Sequence, residues 1–291
     1  MIDAGVAPAA TAGYVGASVS AEVGAAGRLP EGSVAAETMF DLASVSKPVV
    51  ACTLSRVVAR GELDLQAPLG VLLPEARGSR SELVPLELFL AHRAGLDAHR
   101  SLFAPLFCGQ AVNRALALRV AADARRQDCA GRAGTDGFAP VYSDLGYLLI
   151  GAVIEHATGQ PLDAVVEREI NAPLGLGLGS ARQMLAHRPG FAREVAPTEV
   201  VPARGGLVRG IVHDENSWAL SGHATSGHAG LFGTVGDVLG FGAALLAALA
   251  GQSDWLSREA LWTMVKPRAG GSLRAGFDGK SPGAGASSAG A

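Results

Sequence analysis

Apolar and polar positions along the chain divide it into strand-like ends around a helical middle. Residues 13–23 alternate small and apolar side chains, which predicts an edge strand weakened by its glycines. Residues 38–43 form an apolar, strand-like lead into a helix that begins near Ser44. That helix carries Val49, Val50, Cys52, Leu54, Val57 and Val58 at helical spacing and stops at Gly61. Pro48 fits only a first helical turn, where a missing N–H costs nothing, so it fixes the helix start close to Ser44. Residues 63–75 read as a loop with short turns, 86–91 as a helix, Ala94-Gly95-Leu96 as a turn, 111–126 as a helix and 131–137 as a loop. Residues 144–157 predict a strongly apolar helix closed by Thr158-Gly159, and 162–170 a second helix closed by Asn171-Ala172-Pro173. Strand-like pieces return at 195–201, 206–212 and 230–234, followed by a helix over 237–250.

This order places a helical insert between two halves of a mixed layer, an α+β arrangement. The sheet part is expected to be discontinuous, residues 1–67 and 190–278, with a helical domain at 68–189. The Gly/Ser/Ala/Pro-rich residues 279–291 read as a flexible tail. There is no internal repeat.

Composition changes this picture little but excludes several functions. With 291 residues, 48% hydrophobic and 18% charged, the chain is that of a globular protein with a substantial core. A net charge of −3 without a basic stripe argues against a nucleic-acid partner. Cys52, Cys108 and Cys129 match no zinc pattern and read as reduced thiols. No apolar run approaches the roughly 20 residues of a membrane span. The N-terminal residues lack a signal-peptide pattern, so the expected location is cytoplasmic.

The candidate chemistry lies at Ser44-Val45-Ser46-Lys47. Serine is a weak nucleophile until a base takes its proton. Residues three apart on a helix share a face, which puts a lysine amine within reach of the serine hydroxyl. The N–H groups of a first turn can also hold a developing oxyanion. The plainer reading of a serine at a helix start is a cap. Tyr142-Ser143-Asp144, just before the apolar helix, adds a second element, because a tyrosine hydroxyl both donates and accepts. Its plainer reading is an amphipathic loop tyrosine with Asp144 as N-cap.

Four segments together, residues 40–48, 89–96, 142–147 and 230–237, resemble the serine β-lactamase and penicillin-binding-protein family, in its class C-like branch. The Ser-x-x-Lys pattern is a known mark of that family. The resemblance implies a β-lactamase/transpeptidase-like fold: a mixed antiparallel sheet flanked by helices, an all-helical domain, and a site between them. It implies Ser44 as acylated nucleophile, Lys47 as its partner and Tyr142 as general base or relay. No metal or organic cofactor is called for, and the expected partner is a small-molecule or short-peptide substrate.

Two departures stand out. Asp144 occupies a position where class C β-lactamases carry an amide, and an ionised carboxylate cannot donate a hydrogen bond. The family's third box, a Lys- or His-led tripeptide ending in Gly, is matched by His228-Ala229-Gly230 in letters only. Its context resembles an earlier segment that precedes a helix. Lys280-Ser281-Pro282 is excluded by its proline. The sequence therefore predicts a chain that lacks the family's last strands and terminal helix. The expected activity is slow ester, amide or β-lactam hydrolysis, esterase- or D-peptidase-like rather than efficiently β-lactamase-like. The alternatives are a ligand-binding module or sensor without turnover, or a truncated, inactive member. Residues 212–216 suggest a metal site by composition, but a polar rim loop is the better reading. His92 is expected to orient a loop near the nucleophile helix. No Gly-x-Ser-x-Gly elbow occurs.

Overall fold

The computed structural model describes residue 2 and residues 7–16, 19–30 and 32–279. Strands β1 (Ala9–Gly16) and β2 (Val19–Leu29) pair antiparallel, and β2 pairs at its end with β3 (Gly32–Ser33). The expected edge strand over residues 13–23 is thus two arms of a hairpin, in which Gly13 and Val23 face each other. A Cβ at Gly13 would lie 2.6 Å from both Glu22 O and Leu239 Cδ1, so the glycine that weakens the strand is where a helix packs onto it.

The sheet beside the site is short. β4 (Phe40–Asp41) and β5 (Gly179–Ser180) flank a later strand, Leu231–Gly233, and both pair with it antiparallel. β5 falls inside the interval read as helical. Between β5 and that strand, β6 (Val200–Val201) pairs with β7 (Gly206–Leu207), and Leu231–Gly233 is β8. The strands expected over 195–201 and 206–212 shrink to these two residues each. Pro197 and Pro202 cannot donate to a ladder, and Gly210 turns the chain with a φ of 67°.

Helix α1 (Ser46–Ala59) buries Val49, Val50, Cys52, Leu54 and Val57. It starts later than expected, because Ala43–Val45 forms a separate 3₁₀ turn. Helix α2 (Arg114–Asp123) is shorter than the expected 111–126, since Asn113 caps it by accepting from Leu116 N. Helix α3 (Asp144–Thr158) buries ten residues from Leu145 to Ile154 and ends on Gly159 at φ 64°. A left-handed cap of this kind favours glycine. The helix expected over 162–170 splits into Leu162–Val166 and a wide turn, Glu167–Asn171. Helix α4 (Val235–Leu249) opens with a reciprocal Thr234–Asp237 capping box. Helix α5 (Arg258–Val265) has no counterpart in the sequence reading.

α1 and α3 supply much of one apolar core, each buried aliphatic side chain contributing roughly 1.5–3 kcal/mol. The two helices bring Ser44 and Tyr142 to one end of that core. Among the described residues, no helix is long and apolar enough to cross a membrane. Residues 280–291, including Lys280-Ser281-Pro282, lie outside the described residues. Gly279 donates from its N–H to Ser272 O at 2.8 Å.

Candidate active site

Ser44 sits in the 3₁₀ turn between β4 and α1, one turn before Lys47. It does not cap α1. Ala43 and His92 are the non-glycine residues with positive φ among those described, at 44° and 58°. Both border the site, and such backbone costs of order 1–3 kcal/mol. The Ala43 turn is held by Asp41: Oδ1 accepts from Ala43 N at 2.8 Å, and Oδ2 accepts from His213 N at 2.7 Å. Burial raises the Asp41 pKa above the ordinary carboxylate value.

Lys47 is 3% exposed, and its ammonium donates in three directions. Nζ lies 2.8 Å from Ser44 Oγ, 2.8 Å from Asp144 Oδ1 and 3.3 Å from the carbonyl of His228. An ammonium has three protons, so its donor capacity is filled. Asp144 is therefore not the N-cap that local reading allows. Ser143 is the N-cap of α3, accepting from Gly146 N at 3.4 Å, and Asp144 in the first turn is left to pair with Lys47.

Tyr142 is 42% exposed. Lys47 Nζ stands over its ring, 4.8 Å from the centroid. Among the described residues no hydrogen bond joins the Tyr142 hydroxyl to Ser44 or Lys47. The structure thus brings Ser44, Lys47 and Tyr142 together, with the lysine contacting the tyrosine through its π face. Hydroxyl contacts of catalytic groups are often formed only once substrate is bound.

His92 holds the tyrosine loop. Its Nδ1 accepts from Ser143 N at 3.0 Å, and its ring stacks on Tyr142 at 4.7 Å. Burial, then the charge of Lys47, pushes the His92 pKa down to about 4. Behind it, the buried Tyr147 hydroxyl donates to Leu90 O at 3.0 Å, and burial raises its pKa well above the ordinary tyrosine value.

The cleft over Ser44 has a volume of about 360 Å³. Val45, Pro48, Tyr142 and Phe277 give it apolar walls, and Asp278 stands at its rim. Sequence reading missed the last of these walls. A tight turn, closed by a bridge between Leu273 and Asp278, docks Gly276 against Ala51 and Leu90 O. Gly276 has φ 88°, and a Cβ there would collide with Ala51. An isolated glycine ahead of a Gly/Ser/Ala-rich stretch carries no pattern that would reveal this docking.

The other sequence clusters resolve as follows. His213 contacts Glu199 through Nε2 at 2.7 Å, and Asp214 caps the helix Glu215–Ser221. Among the described residues, no group of three or more His, Cys, Asp or Glu side chains converges as a metal site. His228-Ala229-Gly230 runs into β8 at the back of the site, and its backbone, not its side chains, touches Lys47. Cys52 and Cys129 are buried, Cys108 is exposed, and all are free thiols.

The family model Beta-lactamase matches residues 4–288 of the chain. An N-acetylmuramyl-L-alanine amidase of Bacillus subtilis (strain 168) is 28% identical over 224 residues, 69% of this chain and 48% of that protein. Esterase EstB of Burkholderia gladioli is 33% identical over 223 residues, 70% of this chain and 56% of that protein. The chain thus spans about half the length of these curated relatives. Among solved structures, the crystal structure of SurE superposes with a TM-score of 0.67 at 24% identity, over 93% of this chain and 59% of that one.

Proposed function

The chain belongs to the beta-lactamase family, and from that premise we propose that it is a serine hydrolase acting through an acyl-Ser44 intermediate. One observation carries the reading: the Ser44 hydroxyl, at the mouth of a cleft, accepts a 2.8 Å hydrogen bond from a buried lysine one turn away. In the proposed reaction, Ser44 Oγ attacks an ester or amide carbonyl. Its proton passes to the Tyr142 hydroxyl, which hands its own proton to the leaving group while the Lys47 ammonium steadies the developing charge. Water then attacks the acyl carbon and returns a proton by the same route to Ser44 Oγ, releasing the acid. The substrate is a small molecule or short peptide, sized to a cleft of about 360 Å³.

Two observations support ester or amide hydrolysis of an esterase- or D-peptidase-like kind over efficient β-lactam hydrolysis. Asp144 stands where an amide donor would be needed, and its carboxylate is committed to Lys47. The relatives include an esterase and an amidase by name.

A fluorophosphonate probe followed by mass spectrometry tests the assignment. The expected result is one label on Ser44, absent in Ser44→Ala and strongly slowed in Lys47→Arg, whose planar guanidinium cannot reproduce a point donor. Labelling that persists in Ser44→Ala would sink it. The same Lys47–Asp144 pair favours a second reading, binding without turnover, because it ties up the amine. A long-lived acyl-Ser44 adduct without multiple turnover of p-nitrophenyl esters would select that reading.

A further inference from the structure

Asp214 and His228, both unused by the proposed chemistry, meet directly behind Lys47. His228 is 1% exposed. Its Nε2 lies 2.7 Å from Asp214 Oδ1 and its Nδ1 lies 3.1 Å from Ser226 Oγ. Burial alone would raise the Asp214 pKa, but the hydrogen bond and charge of His228 outweigh it and hold it at about 2. The carboxylate therefore accepts from Nε2–H. Turning the imidazole would leave buried polar atoms without partners at both ends.

The backbone around His228 is fixed as well. Ala229 O accepts from Ser226 N at 3.0 Å and from Ser217 Oγ at 3.2 Å. Gly227 is wedged against the carbonyl of Tyr147 and the N–H of Gly151, leaving no room for a Cβ. Gly230 turns the chain into β8 at φ 110°. Among the described residues, Ser226 within the loop and Asp214 from outside it hold the His228 imidazole. The His228 carbonyl then receives the third proton of Lys47 Nζ.

We propose that Asp214 and His228 are positioning residues: their side-chain pair locks the His228 carbonyl, which steers Lys47 Nζ onto the Ser44 hydroxyl. The inference rests on the reading of Ser44 and Lys47 as a reactive pair. The pair's own contact makes a clean test available. Asp214 Oδ1 accepts from both Ser217 N, at 2.7 Å, and His228 Nε2. Asparagine keeps an oxygen for both. Serine keeps a good N-cap but is too short to reach His228.

The experiment compares Asp214→Asn and Asp214→Ser with the parent chain. The first readout is Ser44 phosphonylation by the fluorophosphonate probe, resolved into probe binding and the covalent step. A second uses uniformly ¹⁵N-lysine-labelled protein, where the sequence holds three lysines and Lys47 Nζ is assigned with Lys47→Arg. Asp214→Ser should slow the covalent step by about 10- to 100-fold with binding unchanged, and should shift the Lys47 signal. Asp214→Asn should stay within about threefold of the parent. His228→Asn, which breaks the pair from the other side, should match Asp214→Ser, and it replaces that variant should Asp214→Ser not fold. A covalent rate in Asp214→Ser equal to that of Asp214→Asn overturns the proposal. If the parent chain is not labelled at all, the reactive-serine reading fails by itself. The Lys47 signal then decides alone: moved, it supports the clamp; unmoved in Asp214→Ser, it overturns it.

Discussion

Acidifying the protein from about pH 7.5 to about pH 5 should weaken it through one imidazole, and the structure sets the size of the effect. His92 is 6% exposed, accepts the Ser143 N–H on Nδ1 and stacks on Tyr142. Its pKa falls from 6.5 to about 4, first through burial and then through the charge of Lys47, against opposing pulls from Asp144 and Asp278. Between these two values the unfolded chain carries a proton that the folded chain refuses, so stability is full above 6.5 and drains away as pH falls towards 4. The whole shift corresponds to about 3 kcal/mol, and about 2 kcal/mol of it is already lost at about pH 5. Protonation also places a hydrogen on Nδ1, where Ser143 N now donates, so the tyrosine loop loses its anchor in the same step. Urea unfolding at the two pH values, on the parent and on His92→Gln, isolates the term. The glutamine oxygen can accept from Ser143 but does not titrate. Carboxylates that titrate elsewhere cancel in the difference between the two proteins. The parent should lose about 2 kcal/mol more than the variant. Equal losses in both would refute the assignment of acid sensitivity to His92.

Two further outcomes are expected. Glu169, 1% exposed, is held by Arg56, Arg60 and Arg168. Burial opposes its charge, but the Arg60 and Arg168 hydrogen bonds win and its pKa is lowered. Glu169→Gln should cost about 1–3 kcal/mol in urea unfolding at neutral pH, since the guanidinium groups lose their shared carboxylate but are themselves partly open to solvent. Gly227→Ala should destabilise by at least about 2 kcal/mol in thermal or urea unfolding, because its methyl group must enter the Tyr147 carbonyl. The same substitution at Gly109, which has open space, should cost less even though φ is 69° there.

The parts of the site visible in sequence are those carried by short-range geometry. Ser44 and Lys47 lie one turn apart, and Pro48 marks the helix start, so their contact could be anticipated from spacing. Tyr142 was legible through its place just before an apolar helix. What could not be read are contacts made by backbone atoms or by residues far apart in sequence. The His228 carbonyl reaches Lys47 across 181 positions, and no side-chain pattern announces a carbonyl. The Asp144–Lys47 pair was hidden by an adequate local role for Asp144, which Ser143 fills instead. At fold level, α3 was legible because its apolar run is too long for a strand and closes on Thr158-Gly159. The two-residue strands were not, because too few positions alternate to set a period. Prolines at 197 and 202 cut the apparent strands short for a reason the sequence does contain.

The three acceptors around Lys47 Nζ belong to three separate stretches of chain: the turn after β4, the first residue of α3 and the loop before β8. For anyone rebuilding this protein, that triangle is the part to conserve. Residues 99–141 contribute none of the three, and none of them lines the cleft. Any graft that shifts the Tyr142-Ser143-Asp144 junction moves Asp144 away from Lys47 and so alters the setting of Ser44 without touching it. A single ammonium thus acts as the datum point from which a recombined chain would have to be measured.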